Sequence, residues 1–442
     1  MSTAVVWFRK DLRLLDNPAW SAATREHDRV VALFVIEPGL WDRVSERRRA
    51  LLAGHLRALD ARLDSMGGRL RIERGRPEEV VAEVARDAGA ETVVANADVT
   101  RHSKQRDARV ADAVDLDLHH GTLVHPPGTI LTQEGDRYRV FTPFSKTWMA
   151  TDIRRPEEPG DAEIAGEPGI GVPETAEPPM EPGEEAARSR LESFDPESYK
   201  EIRDRPDLDA TSRLSIDLKY GVLSPVTVHD HIGREGAGNQ AFIRQLAWRD
   251  FYAHLHDENP DLVDRSMRPE YDAIEWRDDP EGLEAWHRGR TGYPLVDAGM
   301  RQLHDEGWIH NRVRMVAASF LVKDLLIDWR RGERWFRRHL LDGDVSQNVG
   351  NWQWVAGTGA DAAPYFRIFN PVSQSKKFDP DGEYIRRWIP ELRNVPAERI
   401  HEPWQASQEQ MEEWGAEDYP PPLVDHGEAR QRTLDAYQAA LD

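Results

Sequence analysis

Over the first 130 residues, short apolar runs alternate with amphipathic segments. VVWF, VVALFVI, LRIER, ETVVAN and LDLHH have the length and branched apolar content of strands. The segments between them, Pro18 to Glu26, Arg47 to Met66, Pro77 to Ala88 and Lys104 to Val114, read as helices. Pro18 and Pro77 stand where a first helical turn tolerates a residue without an N–H. Strands alternating with helices predict a doubly wound parallel sheet. No GxGxxG follows the first strand, so a dinucleotide fingerprint is absent.

Beyond Leu191 the period changes. LSIDLKYGVLSP, AFIRQLAWRDFYAHLH, VDAGMRQLHDEGW and VRMVAASFLVKDLLIDWRR carry apolar residues at spacings of three and four, the mark of helices. Ser224 before Pro225 predicts a helix start and Gly307 a stop. Thr151 to Arg188 is rich in Pro, Gly and Glu and nearly free of aromatic or branched apolar residues. Such a segment buries too little surface to offset its ordering entropy, so it reads as an extended connector. The predicted fold class is α/β plus all-α: a parallel-sheet domain over 1–130, a connector over 131–190 and a helical domain over 191–442.

With 442 residues the chain is too long for one ordinary core, which agrees with two domains. It has no cysteine, which excludes disulfides, thiolate metal sites and a cysteine nucleophile. No apolar run approaches the roughly 20 residues that cross a bilayer, and VVWF begins without a signal-peptide pattern. The expectation is a soluble, cytoplasmic monomer with no metal site and no membrane partner. A net charge of −21 argues against a polyanionic partner, because nucleic-acid binding draws on Lys and Arg. Distribution counts for more than the sum. Acid concentrates between Glu157 and Glu192, whereas RRGERWFRR at 330–338, KK at 376–377 and RR at 386–387 could form a basic face.

From Trp308 to Trp354, arginines, amides and carboxylates sit beside tryptophans inside apolar helical runs. A polar group placed there needs a partner, commonly a buried polar cofactor. The pattern favours a large aromatic cofactor near a surface that meets an anion. TSRLS at 211–215 offers hydroxyls, amides and one guanidinium at the head of a helical run. That suits a diphosphate, and equally a helix cap.

Several motifs together carry a resemblance: VVWFRKDLRLLDNPAW at the N-terminus, VFTPFSKTW at 140–148, TSRLS, AWRDFY at 247–252, TGYPLVDAGMRQL at 291–303, and the stretch from Trp308 through LLDGDVSQNVGNWQW to DAAPYFRIFNPVSQSKKFDP. In this order and spacing, over more than 400 residues, the chain resembles the photolyase/cryptochrome family, and within it the class I cyclobutane pyrimidine dimer photolyases. The resemblance implies FAD held by the helical half and UV-damaged DNA as substrate, and it leaves open a second antenna chromophore, with deazaflavin, methenyltetrahydrofolate, a different pigment or an empty site as the alternatives. It implies FAD contacts from Tyr199, Thr211, Ser212, Arg213, Leu214, Ser215, Phe242, Trp308, Asn311, Arg314, Asp342, Asp344 and Asn348, with Arg314 and Asp342 paired. Asn348 would face flavin N5, where an amide can accept or donate. Trp352, Trp329 and Trp276 match a three-tryptophan electron relay, and Trp248 and Trp354 an aromatic pair lining the lesion pocket. Arg203, Arg249, Arg312, Arg367 and Gln374 fall where the family contacts DNA or the pocket rim.

One departure bears on substrate. Where class I enzymes commonly read E-x-x-W-R, this chain reads Gln245-Leu246-Ala247-Trp248-Arg249. Glutamine there is usual in (6-4) photolyases, but those enzymes also place two histidines where Asn311 and Met315 stand, and neither of these can shuttle a proton. The reading is therefore light-driven repair of cyclobutane dimers. A cryptochrome-like photoreceptor and (6-4) repair are the alternatives. Phe242, where class I enzymes often have tryptophan, keeps an aromatic wall.

Overall fold

A computed structural model describes all 442 residues. The chain divides into two compact units, one formed by Met1–Lys200 with Ser212–Pro260, the other by Glu201–Thr211 with Asp261–Asp442.

The first unit is built on the predicted doubly wound sheet. Its strands are β1 (Thr3–Phe8), β2 (Arg29–Ile36), β3 (Arg71–Arg74), β4 (Thr92–Asn96) and β5 (Leu116–His119), in the order β3-β2-β1-β4-β5. All pairings are parallel, and β1 is central, with Val5 opposite Val31 on one side and Val93 on the other. Every residue of β1 is buried. Val5, Trp7, Leu33, Val81 and Val84 form one core, and each aliphatic side chain buried there contributes about 1.5–3 kcal/mol. The helices Pro18–Glu26 and Pro77–Ala88 have the expected bounds. The one predicted to start at Lys104 begins at Arg101 instead, because the Thr100 side chain accepts from the Ser103 amide and caps it.

The stretch expected to be an extended connector carries more structure than its composition suggests. It holds the helix Phe141–Ala150 and a sixth strand, β6 (Glu163–Ala165), parallel to Arg29–Val31. Phe141, Phe144 and Trp148 are buried along its helix, and polar contacts fix much of the rest. Gly160 N–H donates to Thr24 Oγ1 (2.8 Å), Gly183 N–H to His55 Nδ1 (3.0 Å), and Glu184 accepts from the amides of Leu14 and Leu15 (2.9 and 3.1 Å). Backbone pairing of this kind leaves no trace in hydropathy.

Helical residues 212–260 also belong to this unit. Gly221 ends the helix Ser215–Tyr220 at φ 63°, and a Cβ on it would lie 2.0 Å from the Lys10 carbonyl, so only glycine fits. On the long helix Ala237–Glu258, buried Asp250 accepts from Trp148 Nε1 (2.8 Å) and from the His125 amide (2.9 Å). Ser224 caps the helix Pro225–Ile232, as predicted.

From Asp261 onward the second unit is helical throughout. Gly307 stops the helix Pro294–Glu306 in the left-handed conformation. The helix Asn311–Ser319 runs into one π-helical turn, Phe320–Asp324. The helices Trp329–His339 and Val345–Ala356 follow. Asp328 and Asp344 cap them, their side chains accepting from the amides of Arg330 and Gln347.

Candidate functional site

The second unit contains a pocket between the helix Asn311–Ser319, the turn at 340–344 and the helix Val345–Ala356. Asn311, Arg314, Asp342, Asp344, Asn348 and Trp352 all line it, so five expected cofactor contacts and one relay tryptophan meet there. Arg314 and Asp342 form a two-pronged ion pair, Nη1 to Oδ1 at 3.1 Å and Nη2 to Oδ2 at 2.8 Å. Arg314 Nε donates to the Ile309 carbonyl at 2.7 Å. The guanidinium is thus fixed in its plane, as a charge beside a low-dielectric cavity requires. Its carbon lies 5.9 Å from the centre of the buried Trp308 ring. His310 caps this helix through Nδ1, which accepts from the Arg312 amide, and burial lowers its pKa to about 4.

Asn348 is buried, and its amide is not free to rotate. Nδ2 donates to both the carbonyl and Oε1 of Glu333, each at 2.9 Å. Oδ1 is therefore the atom left to face the pocket as an acceptor. Glu333 is itself buried, and desolvation raises its pKa against the opposing pull of Arg337, 3.3 Å away. Sequence reasoning missed Glu333. The available signal was one acid between arginines on the strongly amphipathic run WRRGERWFRR. Gly332 was missed as well. A Cβ there would sit 2.2 Å from Trp352 Cη2, so this helical glycine lets the indole lie against the helix backbone.

The three relay candidates all belong to the second unit. Trp352 and Trp329 are buried, and half-buried Trp276 packs edge-on against Tyr437 at 6.1 Å. Also in this unit, Asn311 is exposed on the first turn of its helix, with Nδ2 3.8 Å from Met315 Sδ. Arg312 pairs with Asp204 at 3.0 Å and lies over Phe378 at 4.3 Å. Arg203, Trp354 and Gln374 are half-buried, and Arg367 is exposed.

The remaining candidates lie in the first unit, apart from Thr211, which ends the short 201–211 segment of the second. Tyr199 meets Phe242 edge to face at 5.2 Å. In TSRLS, Arg213 adopts φ 52°, a left-handed conformation rare for a side-chain-bearing residue, and Ser212 Oγ accepts from the Leu214 amide at 3.4 Å. Leu214 is buried and Ser215 exposed. Gln245 Nε2 donates to the Ala241 carbonyl at 3.0 Å, which leaves its Oε1 as the outward group. Trp248 stacks on Phe141 at 3.6 Å and 10°. Arg249 donates to the carbonyls of Thr122 and, at 3.4 Å, Leu218.

The expected basic face is partly neutralised. Arg330 pairs with Asp272 and Asp328, Arg331 with Asp278, Arg386 with Glu383 and Lys376 with Glu402. Such surface pairs add little stability, but each reduces the field a polyanion would meet.

Residues 242–439, which include every residue of the pocket, match the family model described as the FAD binding domain of DNA photolyase, and residues 4–160 match the one described as DNA photolyase. A deoxyribodipyrimidine photo-lyase of Escherichia coli (strain K12) is 40% identical, the alignment covering 100% of this chain and 99% of the relative. The chain belongs to the DNA photolyase family. A bacterial class III photolyase from Agrobacterium tumefaciens has a similar structure, with TM-score 0.92 and 38% identity, covering 100% of this chain and 98% of the other. So does a cryptochrome of Synechocystis sp. PCC6803, with TM-score 0.91 and 30% identity, covering 99% of each. Because this photolyase fold is shared with a cryptochrome, the fold by itself does not separate repair from signalling.

The pocket fits the family's FAD. It offers a fixed guanidinium–carboxylate pair, an acceptor oxygen from an oriented amide and an indole wall, the donor set a polar heteroaromatic ring takes up.

Proposed function

We propose that this protein repairs cyclobutane pyrimidine dimers in UV-damaged DNA using light. The observation that carries the reading is the Glu333-locked amide of Asn348, held in one pocket with the Arg314–Asp342 pair. Bound FAD supplies light-driven one-electron transfer to the dimer. The chain's residues bind and orient. Arg314 and Asp342 hold the flavin ring, and Asn348 presents a neutral acceptor where a carboxylate would repel a reduced, anionic ring. Tyr199, Thr211 to Ser215, Phe242, Trp308, Asn311 and Asp344 complete the cofactor contacts. Trp352, Trp329 and Trp276 would be the electron relay serving an oxidised flavin.

Photolyases act on a base taken out of the stack, and a damaged pair costs less to unstack. Trp248 and Trp354 would wall the extruded dimer, with Gln245 accepting at its base edge through Oε1. Arg203, Arg249, Arg312, Arg367 and Gln374 would hold the DNA backbone and pocket rim without reading sequence. The identities of Asn311 and Met315 support the cyclobutane dimer over the (6-4) product, since neither side chain is an acid or base. The reading includes a monomer acting in the cytoplasm, with the sheet domain over 1–130 housing any antenna pigment. No helix is long and apolar enough to cross a membrane.

The test is light-dependent loss of the dimer from an oligonucleotide, with anaerobically reduced protein. Repair in blue light and none in the dark supports the proposal. No repair by flavin-loaded protein favours a photoreceptor.

A further inference from the structure

The long helix Ala237–Glu258 buries Ile243, Leu246, Ala247 and Asp250 on one side. Arg244, Gln245 and Trp248 stand at i, i+1 and i+4, so they share about 100° of arc on the opposite side. Gln245 and Trp248 are half-buried, whereas Arg244 is exposed. The Arg244 guanidinium makes neither an ion pair nor a hydrogen bond, and its carbon lies 5.0 Å from the centre of the Phe141 ring. No carboxylate stands three or four residues from it along the helix, where Gln240, Ala241, Ala247 and Trp248 lie, and Gln245 beside it is neutral. This side of the helix therefore carries one cation and no anion. Arg249, five residues on, is engaged by the fold instead, since it donates to the carbonyls of Thr122 and Leu218.

Buried Phe141 ties this cation to the indole. It stacks on Trp248 at 3.6 Å and 10°, and Phe251 meets it edge-on at 5.7 Å. Tyr252 also stacks on Trp248, at 5.4 Å and 30°. Two rings packed on the indole fix its plane, and one of them also carries the guanidinium. A long arginine side chain loses rotamer freedom when it binds a ligand, and contact with a buried ring removes part of that freedom beforehand. An unpaired guanidinium held in this way matches a phosphate, which accepts two of its N–H groups at once.

We propose that Arg244 is a substrate-binding residue that holds the phosphate joining the two linked pyrimidine nucleotides, and that Phe141 positions it beside Trp248. The proposal deepens the reading of Trp248 and Gln245 as the wall of the lesion pocket and rests on that reading. Trp248 meets the extruded bases, Gln245 Oε1 accepts at their edge, and Arg244 on the solvent side neutralises the backbone between them. In a chain of net charge −21, a local cation at this point offsets the repulsion that the phosphate otherwise meets. The phosphate reaches Arg244 only when the dimer leaves the stack, so the contact adds to affinity for the lesion more than to affinity for an intact duplex.

The test measures binding of the flavin-loaded protein, in the dark and over a range of salt, to a duplex carrying one cyclobutane thymine dimer and to the same duplex undamaged. It compares the parent with Arg244→Gln, Arg244→Lys and Phe141→Leu, each checked for flavin content and melting temperature. Arg244→Gln alters only an exposed side chain and carries the test even where Phe141→Leu fails to fold. Arg244→Gln should weaken binding of the dimer roughly tenfold, the worth of one charge-assisted hydrogen bond. It should lower the slope of log affinity against log salt by about 1 and change binding of the undamaged duplex much less. Arg244→Lys should restore the slope but only part of the affinity, and Phe141→Leu should weaken dimer binding with the slope retained. Parent-like affinity and slope in Arg244→Gln, or an equal loss on both duplexes, would overturn the assignment of Arg244. A parent protein that binds both duplexes equally would instead overturn the lesion-pocket reading, and the proposal with it.

Discussion

Two arginines, one in each unit, show how the same chemistry can build a fold or a site. Arg13 is 1% exposed and donates to the carbonyls of Asp16 (2.7 and 3.1 Å), Gly121 (2.7 Å) and Gly221 (2.9 Å). Every partner is backbone, and the guanidinium locks three loops of the first unit together. Arg314 makes one backbone contact, spends its other nitrogens on Asp342 and faces a cavity. Burial of a charge is thus no mark of function by itself. What distinguishes the site is a paired charge aimed at empty space.

Breaking the first arrangement should cost most in stability. Arg13→Met leaves three buried carbonyls short of a donor at about 1–3 kcal/mol each, so the expected outcome is a loss of several kcal/mol in denaturant unfolding. Asp342→Asn separates the second arrangement from the first. Removing one partner of a buried pair costs about 3 kcal/mol, and the decisive readout is flavin content. The variant should purify with much less flavin, whereas the Arg13→Met protein that does fold should keep its flavin.

His310 sharpens the comparison through pH. Its pKa is lowered to about 4 in the fold against an ordinary 6.5, so the unfolded chain takes up a proton that the folded chain refuses. This contribution is complete above pH 6.5 and drains away as pH falls towards 4. At pH 5 the loss is about 2 kcal/mol. His310→Asn, which keeps a capping side chain, should show a smaller drop in melting temperature between pH 7 and pH 5 than the parent protein.

Glu333→Ala should loosen the Asn348 amide by removing one of the two acceptors on Nδ2, the backbone carbonyl of residue 333 remaining. The expected result is a shifted flavin absorption spectrum with lowered cofactor affinity, and an unchanged spectrum would remove Glu333 from the site. The smallest effect is assigned to Gln245→Glu, which should preserve or raise repair of the cyclobutane dimer. A clear loss would mean that the region around Trp248 is tuned to a different lesion.

Much of this was legible in the sequence, for identifiable reasons. The five main strands were readable because β1, β2 and β4 are short apolar runs and β3 and β5 alternate apolar with polar residues. The helices starting at Pro18 and Pro77 were readable because proline marks a first turn. The Arg314–Asp342 pair followed from the family resemblance. What escaped depends on contacts distant in the chain. Glu333 gains its meaning only when Asn348 folds back onto it, 15 residues on. The connector is ordered in part by single hydrogen bonds to residues more than 100 positions away, such as Gly160 to Thr24. The arginine clusters looked like a free basic face in part because some carboxylate partners lie far along the chain, as Asp272 does for Arg330, 58 residues distant. Hydropathy and local spacing carry no record of such pairs.

The most direct test illuminates reduced, flavin-loaded protein with two oligonucleotides, one carrying a cyclobutane thymine dimer and one a (6-4) product. The account predicts light-dependent repair of the cyclobutane dimer alone, which would also show that glutamine serves at position 245. Repair of the (6-4) product alone, or of neither, would contradict it.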